Sequence, residues 1–275
     1  MRFDAFDFAL NMAAAIDDHF AIAVTPAQIF VVNRFQALLS DDVAGLVTFL
    51  LKVRLLELFR TNLADVAKRV GQCSVWRITS LRRLLDAFYE GTDGKAEPII
   101  DVNFNFTTEG VLRVARALEE QGLAWLEVDS FDPGALAHIR RSTTIPICSG
   151  ENLYTNRGFR PFLEAGALDV ASVDVIWNGF AQSKKIADLA ETFEVNCAPH
   201  NYYSHLATFI SAQWCAAIPN VRMLEVDVDD VPWREELTTA VPEIRAGELT
   251  IPAGPGWGAD VDEGVLAQHP WPVRQ

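Results

Sequence analysis

The chain has 275 residues, half of them hydrophobic, with 37 acidic against 23 basic side chains and a formal net charge of −14. That length and apolar content suit one large α/β domain with a substantial core and exclude a disordered chain. The acidic balance speaks against nucleic acid as a partner, because phosphate binding needs a basic face. The run AGLVTFLLKVRLLELF is too short and too charged to span a bilayer.

In chain order, FDAFDFAL alternates and reads as a strand, and its early acidic residues are unlike the start of a secretory leader. A polar loop around Asp17, Asp18 and His19 follows. Thr25-Pro26 then suits a helix N-cap and first turn. Residues 27–95 read as an atypical, mostly helical segment with extra helices near 40–95, since apolar positions recur there at three- and four-residue spacing. Beyond it the pattern is regular. Strands are expected near 98–104, 123–128, 145–149, 170–175, 194–198 and 221–226. Helices are expected near 108–121, 133–141, 157–165, 180–192 and 204–217. Residues 227–275 form a loop-rich tail with one short strand pair around GELTIP, and 1–275 reads as a single barrel-type domain. Cys73, Cys148, Cys197 and Cys215 form no CxxC pair and are read as free, mostly buried thiols of a reducing cytoplasm.

Six residues able to do chemistry recur about every 25 positions: Asp101, Glu127, Glu151, Asp174, His200 and Glu225. Each closes, or lies just inside, a short apolar run, and the beat matches one strand, one helix and their loops. In a barrel of such units the strand ends converge on the face that carries active sites. Three carboxylates from consecutive strands, Asp101, Glu127 and Glu151, repel one another unless a divalent cation neutralises them. Hard oxygen donors without a thiolate favour Mg²⁺, with Mn²⁺ second. His200 is a proton carrier near neutral pH, and Asp174, one unit earlier, is placed to fix its tautomer. Asn103, Asn152 and Asn201 flank these positions and are candidates for contacts to substrate hydroxyls, or for hydrogen bonds within their loops. Trp125 reads as core. Trp177, just after Asp174, could wall a pocket, and His205 reads as a supporting or surface residue.

The segments DVNFNF, WLEVDSFDP, IPICSGENLY, VDVIWNG with KKIADLAE, and APHN resemble the barrel domain of the enolase superfamily, in its mandelate racemase/muconate lactonizing enzyme family. The resemblance covers about 97–270, and it implies a TIM-type (β/α) barrel with Asp101, Glu127 and Glu151 as Mg²⁺ ligands. It also implies His200 as general acid/base oriented by Asp174. Glu225 matches a carboxyl that hydrogen-bonds the enolate in the racemase branch. The implied partner is a small carboxylate substrate, a sugar acid foremost, and relatives commonly assemble as homo-oligomers.

Three departures shape the expectation. The pattern leaves out the family's N-terminal capping domain and the first barrel strand, so an incomplete barrel is expected. Where the family often carries two lysines on the second strand, this sequence has Asp7 and Ala9. Residues 40–95 do not resemble the family's short connection, so extra helices or a partner subunit are expected to cover the open edge. A lone His–Asp pair without the lysines suits Mg²⁺-dependent dehydration of a sugar acid. The alternatives are a racemase, epimerase or cycloisomerase, which needs a second base, and a barrel remnant that binds metal without turnover.

Overall fold

The computed structural model describes residues 28–34, 48–54, 75–92, 96–227, 232–245 and 247–270. Its elements run β1 (Gln28–Arg34), β2 (Thr48–Arg54), α1 (Val75–Thr92), β3 (Ala96–Asp101), α2 (Thr108–Leu118), β4 (Trp125–Glu127), α3 (Pro133–Arg141) and β5 (Ile147–Ser149). They continue with α4 (Thr155–Glu164), β6 (Val170–Ser172), α5 (Val175–Asn178), α6 (Phe180–Thr192), β7 (Asn196–Ala198), α7 (His205–Ala216), β8 (Ile244–Arg245), β9 (Glu248–Leu249) and α8 (Glu263–Gln268). The main sheet has the order β2-β1-β3-β4-β5-β6-β7. From β3 to β7 every pairing is parallel, and helices cross between successive strands. This is the βα repeat that the spacing predicts.

The predicted repeat is present with shifts at its ends. The strand expected over 98–104 stops at Asp101, because Asn103 takes a left-handed φ of 47° and its backbone N–H donates to Asp101 Oδ1 at 2.7 Å. The strand expected over 221–226 reduces to a single parallel bridge between Cys197 and Val221. In the tail, β8 pairs with β9 at the predicted place.

The helical reading of residues 27–95 needs correction. Helix α1 lies inside it, but QIFVVNR and TFLLKVR form the antiparallel pair β1–β2, and β1 pairs with the edge of β3. Short apolar runs look alike in either period, and the β-branched and aromatic content of these two favours strand. Strands, not the expected helices, therefore adjoin the β3 edge. The FDAFDFAL strand, Asp7, Ala9 and Cys73 lie outside the described residues.

Strand alternation separates two apolar layers. Ile100, Leu126, Ile147, Ala171 and Cys197 pack against the helices in the large core, with Phe159, Leu136 and Trp214. Their neighbours Ile99, Trp125, Cys148, Val170 and Ala198 form a smaller cluster on the opposite, inner face. The buried Trp125 is a core residue, as its strand position predicts. Local signals also fix the helix starts. The carboxylate of Asp132 accepts from the N–H groups of Gly134 and Ala135 ahead of Pro133, and Thr107 caps α2 through Gly110. Cys148 and Cys197 are buried free thiols and Cys215 is a half-buried one. Among the described residues, no helix is long and apolar enough to cross a membrane.

Candidate active site

The inner-face period continues past the apolar layer into acid. Two residues beyond Ile99 comes Asp101, and two beyond Trp125 comes Glu127; the two are direct partners in the β3–β4 register. Both are buried at the carboxyl ends of their strands. Glu151 follows β5 after Gly150, whose φ is 123°. A Cβ at Gly150 would come within 2.7 Å of the Phe159 ring, so only glycine turns the chain here without strain or clash. The turn sends Glu151 back over the strand ends, where it meets Asn152 Nδ2 at 3.2 Å and Asn103 Nδ2 at 3.5 Å.

A further acid, Asp129, belongs to this side of the site and is missing from the sequence reading. It lies two residues beyond Glu127, is buried, and has one oxygen, Oδ2, without a hydrogen-bond partner. Strand alternation continued two residues past Glu127 is the signal that could have found it. Together these acids make a strongly negative cavity. Burial, then the charges of Glu127, Glu151 and Asp129, push the Asp101 carboxyl well above its ordinary range. Burial followed by Glu151 and Glu225 lifts Glu127 to about 7. Burial with Glu151 and Glu127 lifts Asp129 to about 8.

Among the described residues, no group of three or more His, Cys, Asp or Glu side chains is placed so that it could hold a metal ion as it stands. The donors nevertheless suit a hard divalent cation. They are carboxylate oxygens whose mutual repulsion a 2+ charge relieves, and the nearby Cys148 thiol is kept protonated, chiefly by burial.

The opposite side is saturated with donors. Asp174 follows β6, is completely buried, and caps α5 by accepting from the Trp177 N–H at Oδ1, 2.7 Å. Its other oxygen, Oδ2, meets His200 Nδ1 at 2.8 Å and accepts from the Tyr203 hydroxyl at 2.5 Å. His200, after β7, turns its second nitrogen towards Glu151, with Nε2 to Oε2 at 3.2 Å. The imidazole thus bridges the paired aspartate and the acidic cavity.

Asn201 does not face the mouth. It is completely buried, its amide donates to the Glu225 carbonyl and Thr208 Oγ1, and its Oδ1 accepts from Ser211. Its backbone N–H donates to Glu225 Oε2 at 2.7 Å. The substrate-contact reading of Asn201 therefore gives way to one of anchoring the loop, because every group on its amide is spent inwards. Glu225, buried in turn, clamps that loop from the stretch after Val221. His205 is buried at the start of α7, so the surface half of its expected reading falls away. Phe104 with Phe131 in two loops, and Tyr154 in a loop with Trp177 on the short helix α5, form two exposed stacked pairs just beyond the strand ends. Trp177 therefore exposes its ring to solvent while its backbone N–H donates to the capping carboxylate of Asp174.

Residues 73–265 match the family described as enolase C-terminal domain-like. A D-xylonate dehydratase from Haloferax volcanii is 34% identical over 189 residues, 68% of this chain and 46% of that protein. A D-galactarolactone cycloisomerase from Agrobacterium fabrum is 27% identical over 69% of this chain and 53% of its own length. Among solved structures, a candidate L-alanine-DL-glutamate epimerase from Burkholderia xenovorans, bound to magnesium and fumarate, superposes with a TM-score of 0.71. It is 44% identical and the match covers 72% of this chain and 50% of that one. The chain spans about half the length of these relatives.

Proposed function

Because the chain belongs to the enolase C-terminal domain-like family, we propose that it removes the proton alpha to the carboxylate of a small organic acid, and that the overall reaction is dehydration of a sugar acid. The observation that carries the reading is the His200–Asp174 pair, Nδ1 to Oδ2 at 2.8 Å, with the other imidazole nitrogen facing the acidic cavity.

In this reading Asp101, Glu127 and Glu151 hold Mg²⁺, or Mn²⁺ in its place. Bound there, the cation would offset the negative charge that grows on the substrate carboxylate as the alpha proton leaves. The protein's own groups do the rest. Asp174 keeps the Nδ1 proton in place, so Nε2 is the nitrogen that accepts the alpha proton. The electron pair of the broken C–H bond moves towards the carboxylate. The protonated Nε2 then returns its proton to the departing β-hydroxyl, which leaves as water and gives an enol that becomes a 2-oxo acid. Asn103 and Asn152, whose amides reach Glu151, are the substrate-contacting amides of this scheme. Glu225, close enough to raise Glu127, is the carboxyl assigned in this scheme to hydrogen-bond the developing enolate.

The dehydratase from Haloferax volcanii supports the choice of reaction. The Burkholderia xenovorans relative keeps epimerisation as the second reading. Epimerisation needs a base on the opposite face of the substrate, and from the sequence alone Asp7 is the candidate. The test is alpha-proton exchange in D₂O with Mg²⁺ across a panel of sugar acids, followed by product analysis. A 2-oxo-3-deoxy acid supports dehydration, and an inverted substrate supports epimerisation. His200→Asn should abolish exchange while still binding Mg²⁺, and exchange retained in that variant removes His200 from the mechanism. Absence of exchange in folded, metal-loaded wild type would leave a metal-binding barrel without turnover.

A further inference from the structure

Tyr203 lies in the loop between β7 and α7, three residues beyond His200, and touches both members of the proton-transfer pair. Its hydroxyl donates to Asp174 Oδ2, the same oxygen that meets His200 Nδ1, and its ring stands edge-on to the imidazole at 5.7 Å and 89°. A buried carboxylate must have its lone pairs satisfied, and at Asp174 three donors do this: the Trp177 N–H, His200 Nδ1 and the Tyr203 hydroxyl. The loop that delivers Tyr203 is fixed two residues earlier by the Asn201 clamp on Glu225, Thr208 and Ser211. Burial, and then Asp174 itself, hold the phenol in its protonated, donating form.

We propose that Tyr203 is a positioning residue for proton transfer. Its hydroxyl fixes the Asp174 carboxylate and its ring edge flanks the imidazole, so that His200 keeps Nδ1 on Asp174 and Nε2 towards the acidic cavity. The inference rests on the acid/base reading of His200. Without the phenol, Asp174 Oδ2 loses one of its two donors and the ring loses one of the contacts that set its plane.

The experiment uses protein labelled with ¹⁵N-histidine and the Tyr203→Phe variant, which keeps the ring and removes the hydroxyl. The His200 Nδ1–H signal is identified by its loss in His200→Asn. In Tyr203→Phe that signal should shift and broaden through faster exchange with water, while the melting temperature and Mg²⁺ affinity stay near wild type. Alpha-proton exchange should fall about tenfold in kcat at unchanged KM, the size expected when a hydrogen bond to a charged group is lost. An unchanged Nδ1–H signal would overturn the proposal. Should Tyr203→Phe not fold, the wild-type spectrum decides. A nuclear Overhauser contact between Tyr203 ring protons and the His200 Nδ1 proton supports the placement, and its absence overturns it. If wild type exchanges no alpha proton with any acid, the catalytic reading fails, yet these spectra still judge the placement of Tyr203.

Discussion

The two sides of the strand-end face are built on opposite electrostatic terms. On the β3–β5 side, buried carboxylates crowd together and raise one another's pKa. On the β6–β7 side, a single buried carboxylate is given three donors. The first arrangement is poor as a finished structure and good as a receptor for positive charge. The second is finished, and it holds an imidazole still. The difference teaches that burial alone does not assign a role to an acid: Asp101 and Asp174 are both buried, and their neighbours separate them.

The sharpest way to break the finished side is Asp174→Asn. The amide cannot accept from all three donors as the carboxylate does, and it no longer favours the Nδ1–H tautomer. Alpha-proton exchange should fall by about 10²–10⁴-fold, with Mg²⁺ affinity little changed by calorimetry. An equal loss of Mg²⁺ binding would mean that the two sides are not separate.

Glu127→Gln should act on the crowded side with opposite signs in two assays. Removing one buried charge relieves repulsion, so the metal-free protein near pH 8 should gain stability on the order of 3 kcal/mol, the cost implied by a carboxyl lifted to about 7. The same variant should bind Mg²⁺ much more weakly. Urea unfolding with and without Mg²⁺ reads both effects. Loss of stability in the metal-free variant would show that the carboxylate is held by hydrogen bonds rather than strained by charge.

The crowded side was the more legible in sequence. Asp101, Glu127 and Glu151 sit at the ends of apolar runs with a regular spacing, and a parallel register converts that spacing into neighbours. Asp174 and His200 came from the same beat. What escaped was direction within loops. Asn201 and Tyr203 are polar residues two positions apart in one loop, yet one is clamped inwards on Glu225 and the other reaches back 29 positions to Asp174. No periodicity encodes such a contact. Asp129 was readable from strand alternation. The β1–β2 pair was not, because its apolar runs satisfy both periods, and pairing with the edge of β3 decides between them.

The contrast also predicts a pH dependence. Glu127 and Asp129 have folded-state pKa values raised to about 7 and about 8, so the native state binds more protons than the unfolded chain above the ordinary carboxylate range. The stability they allow is fully present below that range, falls as pH rises above it, and is gone once pH has passed 7 to 8. Thermal melts in EDTA should therefore fall in midpoint across that window, and saturating Mg²⁺ should flatten or reverse the slope by favouring the ionised forms. A metal-free melting temperature that rises across the same window would contradict the crowding.

The smallest effect is expected at the rim, where the Trp177 indole is half-exposed and stacks on Tyr154 at 5.8 Å and 9°. Its backbone N–H, not its ring, donates to Asp174. Trp177→Ala removes the ring and leaves that bond, so stability should change by no more than about 0.5 kcal/mol, as for a surface site. An aromatic wall beside the mouth would contribute to holding substrate and not to moving its proton. The expected pattern is therefore a KM raised a few-fold, on the order of 1 kcal/mol of lost contact, with kcat within about twofold of wild type. A fall in kcat at constant KM would mean that the indole, and not just its backbone, helps to set the Asp174–His200 geometry, and the finished side of the site would then extend to the rim.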